Sequence, residues 1–344
     1  MKKLGLYLLL LTLQLSTEAQ SMIAEDYYVS AFNEMSDMLA GRRELSIKRA
    51  VYLAEWAYYE GNLDYKADFC DEIDRIVKFV NLLYDVNKLS YYKTGKQMAR
   101  NEYFFRPYSG NQYKPYTYDF ESFSKDQESW ECQFVSKVLK THYGQCRSLP
   151  WLYKILSHEI DAKVYIAQAP RHYYIMYKDE DKFTPEDWIN LELTTHQMIP
   201  SWCIKQNFEI CDSALQVGTY MTPMTEIEIV ACQMSELAFG YKEKFNRYDG
   251  FTFYCVSRSL EFYPMNPNAW IIRGKSLECM FQNYYKRIGY IIDDYAARLL
   301  YLIEETTQRL NQTHMTEETE EIRERRKRQA EEAQKYTQEN LMPK

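Results

Sequence analysis

The spacing of the apolar residues changes in the middle of this chain, and this change constrains the fold more than any other feature. Residues 149–156 carry an apolar stripe at helical spacing. Residues 164–166, 172–177 and 189–194 then look extended, and the last of them alternates apolar and polar residues with a period of two. A helix followed by three strands, with helical segments on both sides, predicts an α+β fold.

Helical spacing extends to both sides of this segment. Apolar residues predict helices that start at Ile47, with Ser46 as N-cap, and near Ile73, whereas residues 103–118 break every period and are predicted to be loop or short strands. Residues 291–303 predict a further amphipathic helix. The predicted organisation is a signal peptide over 1–19, a helical N-terminal region over 20–110, a core over 111–210, a helical region over 225–310 and a charged tail, helical or disordered, over 311–344.

Composition excludes several classes of protein. Of the 344 residues, 46% are hydrophobic, which excludes disorder throughout, and 42 basic against 49 acidic residues give a net charge of -7 that disfavours a nucleic-acid partner. The eight cysteines include no Cys-x-x-Cys pair, so no structural zinc site is expected. For Cys203 and Cys211, the closest pair, a small disulfide and two buried thiols remain alternatives. No metal or cofactor is expected.

The N-terminus has the pattern of a secretory signal. Met1-Lys2-Lys3 is followed by the Leu-rich run from Leu4 to Leu15, and cleavage is expected after Ala19. This run is too short for a membrane span, which needs roughly twenty residues. We therefore expect a protein that is exported to the periplasm or the extracellular space, soluble after signal cleavage and without a membrane span.

One cysteine has the surroundings of a nucleophile. Cys146 is predicted to start a helix, where unpaired backbone amides and the helix dipole favour a thiolate, with Pro150 in the first turn. His172, early on a strand, is the natural base. On the next strand Asn190 and Glu192 point to the same side, so either of them can orient the imidazole.

Three segments carry a family resemblance. They are Gly-Gln-Cys-Arg-Ser-Leu over 144–149, Arg-His-Tyr-Tyr over 171–174 and Trp-Ile-Asn-Leu-Glu-Leu-Thr over 188–194. In this order they resemble the transglutaminase-like superfamily of papain-like cysteine enzymes, across about residues 115 to 205. The last segment is similar to the family's Trp-x-x-Leu-Asp-x-Thr.

The resemblance implies a role for each matching residue. It makes Cys146 the nucleophile, His172 the base and Glu192 the orienting acid, although the family has the shorter Asp at the last position. It also implies an oxyanion hole formed by the Cys146 amide and an upstream polar side chain, for which Gln133 and Gln145 are the candidates.

The other four histidines have fewer candidate catalytic partners in the sequence than His172. His142 lies four residues before Cys146 and is an alternative base or metal ligand, but it lacks an acidic residue at matching spacing. His158, His196 and His314 are expected to be solvated.

The second half of the sequence resembles a helical repeat rather than the enzyme core described above. Gly240 and Gly274 are 34 residues apart, and Pro264 and Trp270 lie between them as in tetratricopeptide repeats. An ordinary helical hairpin is the alternative, because only about one and a half units are visible and a stable array needs roughly three. A repeat-like region implies a protein partner.

Together these features predict an exported cysteine-dependent acyl-transfer enzyme that acts through a thioester on a peptide or a glutamine side chain. Hydrolysis is expected rather than cross-linking, because nothing in the sequence marks an amine site. The alternative is a non-catalytic module that binds peptides or proteins on the same fold. A buried or disulfide-bonded Cys146 would favour that binding module.

Overall fold

The computed structural model describes residues 24–120 and 129–315, together with residues 321, 324, 325, 328, 331, 332 and 335. The predicted signal peptide over 1–19 and most of the tail lie outside the described residues. The described chain combines many helices with small sheets, which is compatible with the predicted α+β class.

The N-terminal region is a helical layer, as predicted. The side chain of Ser46 accepts a hydrogen bond from the Arg49 amide at 3.2 Å, so the predicted N-cap is confirmed. After the fourth helix the chain continues in irregular backbone and a 3-10 turn over Ser109–Asn111. The helices of this layer are α1 over residues 24–39, α2 over Ile47–Tyr58, α3 over Asp71–Val86 and α4 over Gly95–Phe105.

The central region contains all the strands that the structure describes, and the three predicted strands are confirmed. Its helix α6 begins two residues later than the sequence predicted. The elements in order are β1 over Thr117–Tyr118, α5 over Val135–Thr141, β2 over Tyr143–Gly144, α6 over Ser148–Glu159, β3 over Tyr165–Ala169, β4 over His172–Lys178, β5 over Trp188–Glu192, β6 over Gln197–Met198, α7 over Ser201–Asn207 and α8 over Asp212–Gln216.

Strands β3 to β6 form one antiparallel sheet in chain order. Ala169 pairs with His172 across the tight hairpin between β3 and β4, and Ile175 pairs with Leu191 between β4 and β5. Because side chains alternate along a strand, His172 and Glu192 point to the same face of the sheet. They occupy diagonal positions on neighbouring strands.

Both faces of the sheet are covered. One face, including Tyr173 and Ile175, joins the main hydrophobic core with α6 and the N-terminal helices. The opposite face, including Tyr174 and Met176, packs against the residues around α7 and α8, among them Phe208. Strand β4 is therefore buried on both sides, which explains why it reads as a nearly continuous apolar and aromatic run, whereas the edge strand β6 is exposed.

The C-terminal region is helical. Thr225 and Glu228 form a capping box at its first helix, and Asn266 caps the third with Pro267 at the first position. Successive helices pack together, and the first also packs against α2, so this region joins the main core. Its helices are α9 over Glu226–Phe245, α10 over Gly250–Phe262, α11 over Pro267–Arg287 and α12 over Asp294–Gln312.

Two details of this region differ from the sequence-based reading. Helix α12 begins at Asp294, and Ile291 and Ile292 precede it with 63% and 58% exposure, because the cap at Asp293 starts the helix after them. The two glycines also have different neighbours. A side chain at Gly240 would approach Trp130, whereas one at Gly274 would make an ordinary contact with α12.

Candidate active site

Cys146 lies in the turn immediately before α6. The Leu149 amide donates to the Gln145 carbonyl at 3.1 Å, and the Gln145 amide donates to the Ser148 hydroxyl at 2.9 Å. The helix proper starts at Ser148, so the prediction that it starts at Cys146 is wrong by two residues. Cys146 is partly exposed and lies two residues before the N-terminal end of the helix.

Pro150 is the third residue of α6, so its predicted place in the first turn is confirmed. Proline has no amide hydrogen and can only be accommodated there without breaking the helix. The residue four positions before it is Cys146. The helix therefore supplies no backbone donor to the Cys146 carbonyl, and the turn that carries the thiol is separate from the regular helix.

Strand pairing and close packing hold the backbone just before Cys146 in place. Strands β1 and β2 pair in parallel, and the Asp119 amide donates to the Gly144 carbonyl at 2.8 Å. A side chain at Gly144 would lie 2.8 Å from atoms of both Leu149 and Val138. Only glycine fits this close approach, which explains the glycine two residues before the thiol.

His172 reaches Cys146 because of the tight β3–β4 hairpin. Arg171 adopts a left-handed conformation with φ of 52°, and the hairpin ends directly at His172. The Cys146 Sγ lies 4.0 Å from the Arg171 carbonyl oxygen, and the sulfur is close enough to His172 to raise the pKa of the imidazole. The predicted nucleophile and base are therefore neighbours.

Glu192 holds the other side of the imidazole. His172 Nε2 lies 2.5 Å from Glu192 Oε2, which leaves Nδ1 for the sulfur. The second carboxylate oxygen, Oε1, accepts from the amide and the hydroxyl of Thr194 at 2.9 and 2.7 Å. Diagonal side chains on neighbouring strands have Cβ atoms roughly 7–8 Å apart, a separation that suits a long acid such as glutamate.

The electrostatics favour a charged pair. Burial alone lowers the pKa of His172, but the Glu192 carboxylate and the Cys146 sulfur outweigh it and raise that pKa to about 9. Burial likewise acts to raise the pKa of Glu192, yet the imidazolium and the Thr194 donors lower it overall. The two shifts agree: at neutral pH the site holds an imidazolium beside a carboxylate.

Phe208 covers the imidazole. Its ring stacks on His172 with centroids 5.0 Å apart and planes at 26°. Phe208 is the residue that ends α7 and is 91% buried in the cluster on that face of the sheet. Sequence reasoning missed this residue, because no local pattern links a helix end to a strand so far upstream. The role of Thr194 was also missed, although the Trp-x-x-Leu-Glu-x-Thr segment contained it.

Asn190 has a different task. Its side-chain nitrogen donates to the Ile199 carbonyl at 3.2 Å and to the Ser201 hydroxyl at 3.0 Å. It therefore ties β5 to the start of α7, and of the two candidates for orienting His172 it is Glu192 that makes the contact.

Both candidates for the oxyanion side chain make contacts away from the thiol. The side-chain nitrogen of Gln145 donates to the Asp119 carbonyl at 2.8 Å, and this residue is 98% buried. That bond anchors the chain beside the nucleophile. Gln133 ends the 3-10 turn over Trp130–Gln133, where its nitrogen lies 3.5 Å from the sulfur of Cys132.

A second buried ion pair adjoins the nucleophile on its other side. The Arg147 guanidinium contacts both oxygens of Glu236 on α9 at 2.6 Å and lies over the rings of Trp130, Tyr173 and Phe239. This pair fixes the residue after Cys146 to the C-terminal helices. Sequence reasoning did not identify it.

His158 and His314 are exposed, as expected, and His158 Nε2 lies 3.7 Å from a Glu226 oxygen. His142 and His196 instead contact backbone carbonyls. His142 Nδ1 lies 2.6 Å from the Lys114 carbonyl, and its ring stacks on Tyr116. The expectation that His196 is solvated is wrong: its ring stacks on Phe105 and its Nε2 lies 2.7 Å from the Tyr116 carbonyl. Burial lowers the pKa of both histidines, which favours neutral rings in structural roles.

None of the eight cysteines forms a disulfide bond, so the disulfide considered between Cys203 and Cys211 does not form. The alternative of two buried thiols is also wrong, because Cys203 is partly exposed and Cys211 is exposed. Among the described residues, no group of three or more His, Cys, Asp or Glu side chains could hold a metal ion. No helix in the described part of the chain is long and apolar enough to cross a membrane. No family model, curated protein or solved structure matches the chain.

Proposed function

We propose that the chain is a cysteine-dependent acyl-transfer enzyme with a transglutaminase-like core, and that it hydrolyses a peptide bond or a glutamine amide through a thioester on Cys146. One observation carries the proposal. His172 contacts the Glu192 carboxylate at 2.5 Å, and the Cys146 sulfur lies beside it, 4.0 Å from the carbonyl of the preceding residue, which is the arrangement that activates a thiol nucleophile.

The first half of the reaction forms the thioester. The thiol proton resides on His172, and the thiolate attacks the amide carbonyl carbon, so that a C–S bond forms. Collapse of the tetrahedral intermediate breaks the C–N bond, and the imidazolium gives its proton to the leaving amine. The raised pKa of His172 keeps this proton available at neutral pH.

The second half releases the acyl group. Neutral His172 takes a proton from water, the hydroxide oxygen attacks the thioester carbonyl, and the C–S bond breaks to give a carboxylic acid and the thiolate. Glu192 keeps the imidazole in one orientation through both halves, and Thr194 keeps Glu192 in place. An amine in place of water would give transamidation.

The surroundings of Cys146 support an enzyme over a binding module. Cys146 forms no disulfide bond and is partly exposed, and its histidine already contacts an acid, whereas a binding module does not need this alignment. We extend the proposal to an exported protein on the strength of the Lys2–Lys3 start and the Leu-rich run that follows.

Limited alkylation with iodoacetamide, followed by peptide mass spectrometry, tests the proposal. At pH 6 Cys146 should react first in the native protein, and His172→Ala should remove this preference. The exposed thiol of Cys211 is the internal control, because serine and backbone donors lower its pKa without any histidine. Faster reaction at Cys211 in the wild type would contradict the assignment of Cys146 as nucleophile.

A further inference from the structure

The chain after α12 lies against the layer that covers the imidazole. The Thr219 hydroxyl donates to the Thr313 carbonyl at 2.5 Å, and Met315 packs against the apolar cluster around α7 and α8. The Cys211 thiol lies 3.7 Å from the His314 carbonyl. The first residues after α12 are therefore attached to this layer.

Arg325 makes a further attachment at the end of α7. Its guanidinium donates to the Asn207 carbonyl at 2.7 Å and to Glu209 at 3.2 Å. These two partners flank Phe208 directly in the sequence. The last carbonyls of a helix lack partners within the helix, and a cation placed there satisfies one of them.

We propose that Arg325 is a positioning residue for the acyl-transfer site, acting through Phe208. By holding the Asn207 carbonyl on one side of Phe208 and the Glu209 carboxylate on the other, it keeps that ring stacked on His172 and keeps the imidazole aligned between Glu192 and Cys146. This inference rests on the proposed function. It gives the charged C-terminal segment a role in the chemistry, where the sequence suggested only a solvated tail.

The proposal predicts a specific change in thiol reactivity. An aligned imidazolium stabilises the thiolate, so alkylation of Cys146 stays fast at acidic pH. When Arg325→Ala releases the end of α7, the imidazole is held less firmly beside the sulfur. Alkylation at pH 5.5 should then slow by about three- to tenfold and change little at pH 9, where an ordinary thiol is also largely ionised.

The experiment compares pH profiles of Cys146 alkylation between pH 5 and 10 in the full chain. The variants are Arg325→Ala, Arg325→Lys, which keeps the charge, and Glu209→Gln, which removes only the ion pair. Arg328→Ala is the matched control, since Arg328 is an exposed arginine three residues after Arg325. Circular dichroism and thermal unfolding confirm that each variant is folded.

The outcomes test the role of Arg325 separately from the proposed function. A shifted acid limb in Arg325→Ala, smaller in Arg325→Lys and absent in Arg328→Ala, supports the proposal. Superimposable profiles in folded wild type and Arg325→Ala overturn it and leave the proposed function standing. A wild-type profile that His172→Ala does not alter overturns the proposed function, and the role of Arg325 with it. If Arg325→Ala does not fold, the profile of Glu209→Gln decides.

Discussion

Two ion pairs lie on either side of the nucleophile, and they differ in one respect that matters for chemistry. His172 with Glu192 and Arg147 with Glu236 are both largely buried, with N···O distances of 2.5 and 2.6 Å. The Arg147 guanidinium stays charged at every relevant pH, because Glu236 more than offsets the burial that would lower its pKa. The imidazole can lose its proton near pH 9.

The comparison shows that burial and pairing alone do not indicate a catalytic group. The His172 pair joins neighbouring strands, whereas Arg147 and Glu236 are 89 residues apart, and both pairs place a cation and a carboxylate together away from bulk water. Only the pair whose cation can give up a proton, and which also touches the thiol, can take part in acyl transfer. The Arg147 pair has a structural task, which is to hold the turn after Cys146 against α9.

Replacement of Glu192 by Gln should have the largest effect on turnover. The amide keeps the shape of the side chain but removes the charge that stabilises the imidazolium. In serine enzymes the equivalent loss lowers turnover by about ten-thousand-fold. A loss of this order is expected here in the single-turnover rate of thioester formation with an activated ester or amide. A loss below tenfold in a folded variant would mean that Glu192 does not serve catalysis.

Replacement of Glu236 by Gln should lower the free energy of unfolding rather than the reactivity of Cys146. Loss of one partner of a buried pair costs about 3 kcal/mol, at the low end of the usual range because the Arg147 side chain keeps 22% exposure. Urea unfolding should show this loss, while Cys146 alkylation of the remaining folded protein changes by less than tenfold. The opposite pattern, normal stability with lost reactivity, would remove the distinction between the two pairs.

The shorter acid tests whether the diagonal register requires glutamate. Glu192→Asp removes one methylene, and the carboxylate then falls short of His172 by about the length of one C–C bond. We expect a ten- to hundredfold lower rate of thioester formation, between wild type and Glu192→Gln, in line with the cost of misplaced catalytic groups of about 1 Å. Full activity in Glu192→Asp would show that the strands adjust to either acid.

The smallest effect that we expect to distinguish the two ion pairs is the pH dependence of stability. The pKa of His172 is about 9 in the folded protein against about 6.5 in an unfolded chain. The stabilisation from its protonated form is therefore complete below about pH 6.5 and is lost as the pH rises through 9. The free energy of unfolding, measured from pH 6 to 10, should fall in wild type and fall less in Glu192→Gln. Glu236→Gln should retain the wild-type slope.

Local patterns in the sequence predicted much of this architecture. The N-cap at Ser46, the strands from β3 to β5 and the place of Pro150 depend on residues close in the chain, so period and capping chemistry suffice. The triad candidates followed from three short segments. The predicted start of α6 was two residues too early, and the cause is also close in the chain. The Gln145 amide donates to the Ser148 hydroxyl and forms a turn before the helix.

Local sequence patterns predict the three central strands, the helix before them and the three chemical groups of the site, whereas α7, α8 and the contacts among these groups emerge only in the folded chain. Asn190 and Glu192 share a face of β5, and only the diagonal register with β4 assigns Glu192 to the imidazole. Phe208 reaches His172 from another element, and Arg325 reaches the end of α7 from the far end of the chain. Such contacts join residues with no shared local period, so they form only when packing of the whole chain brings the surfaces together.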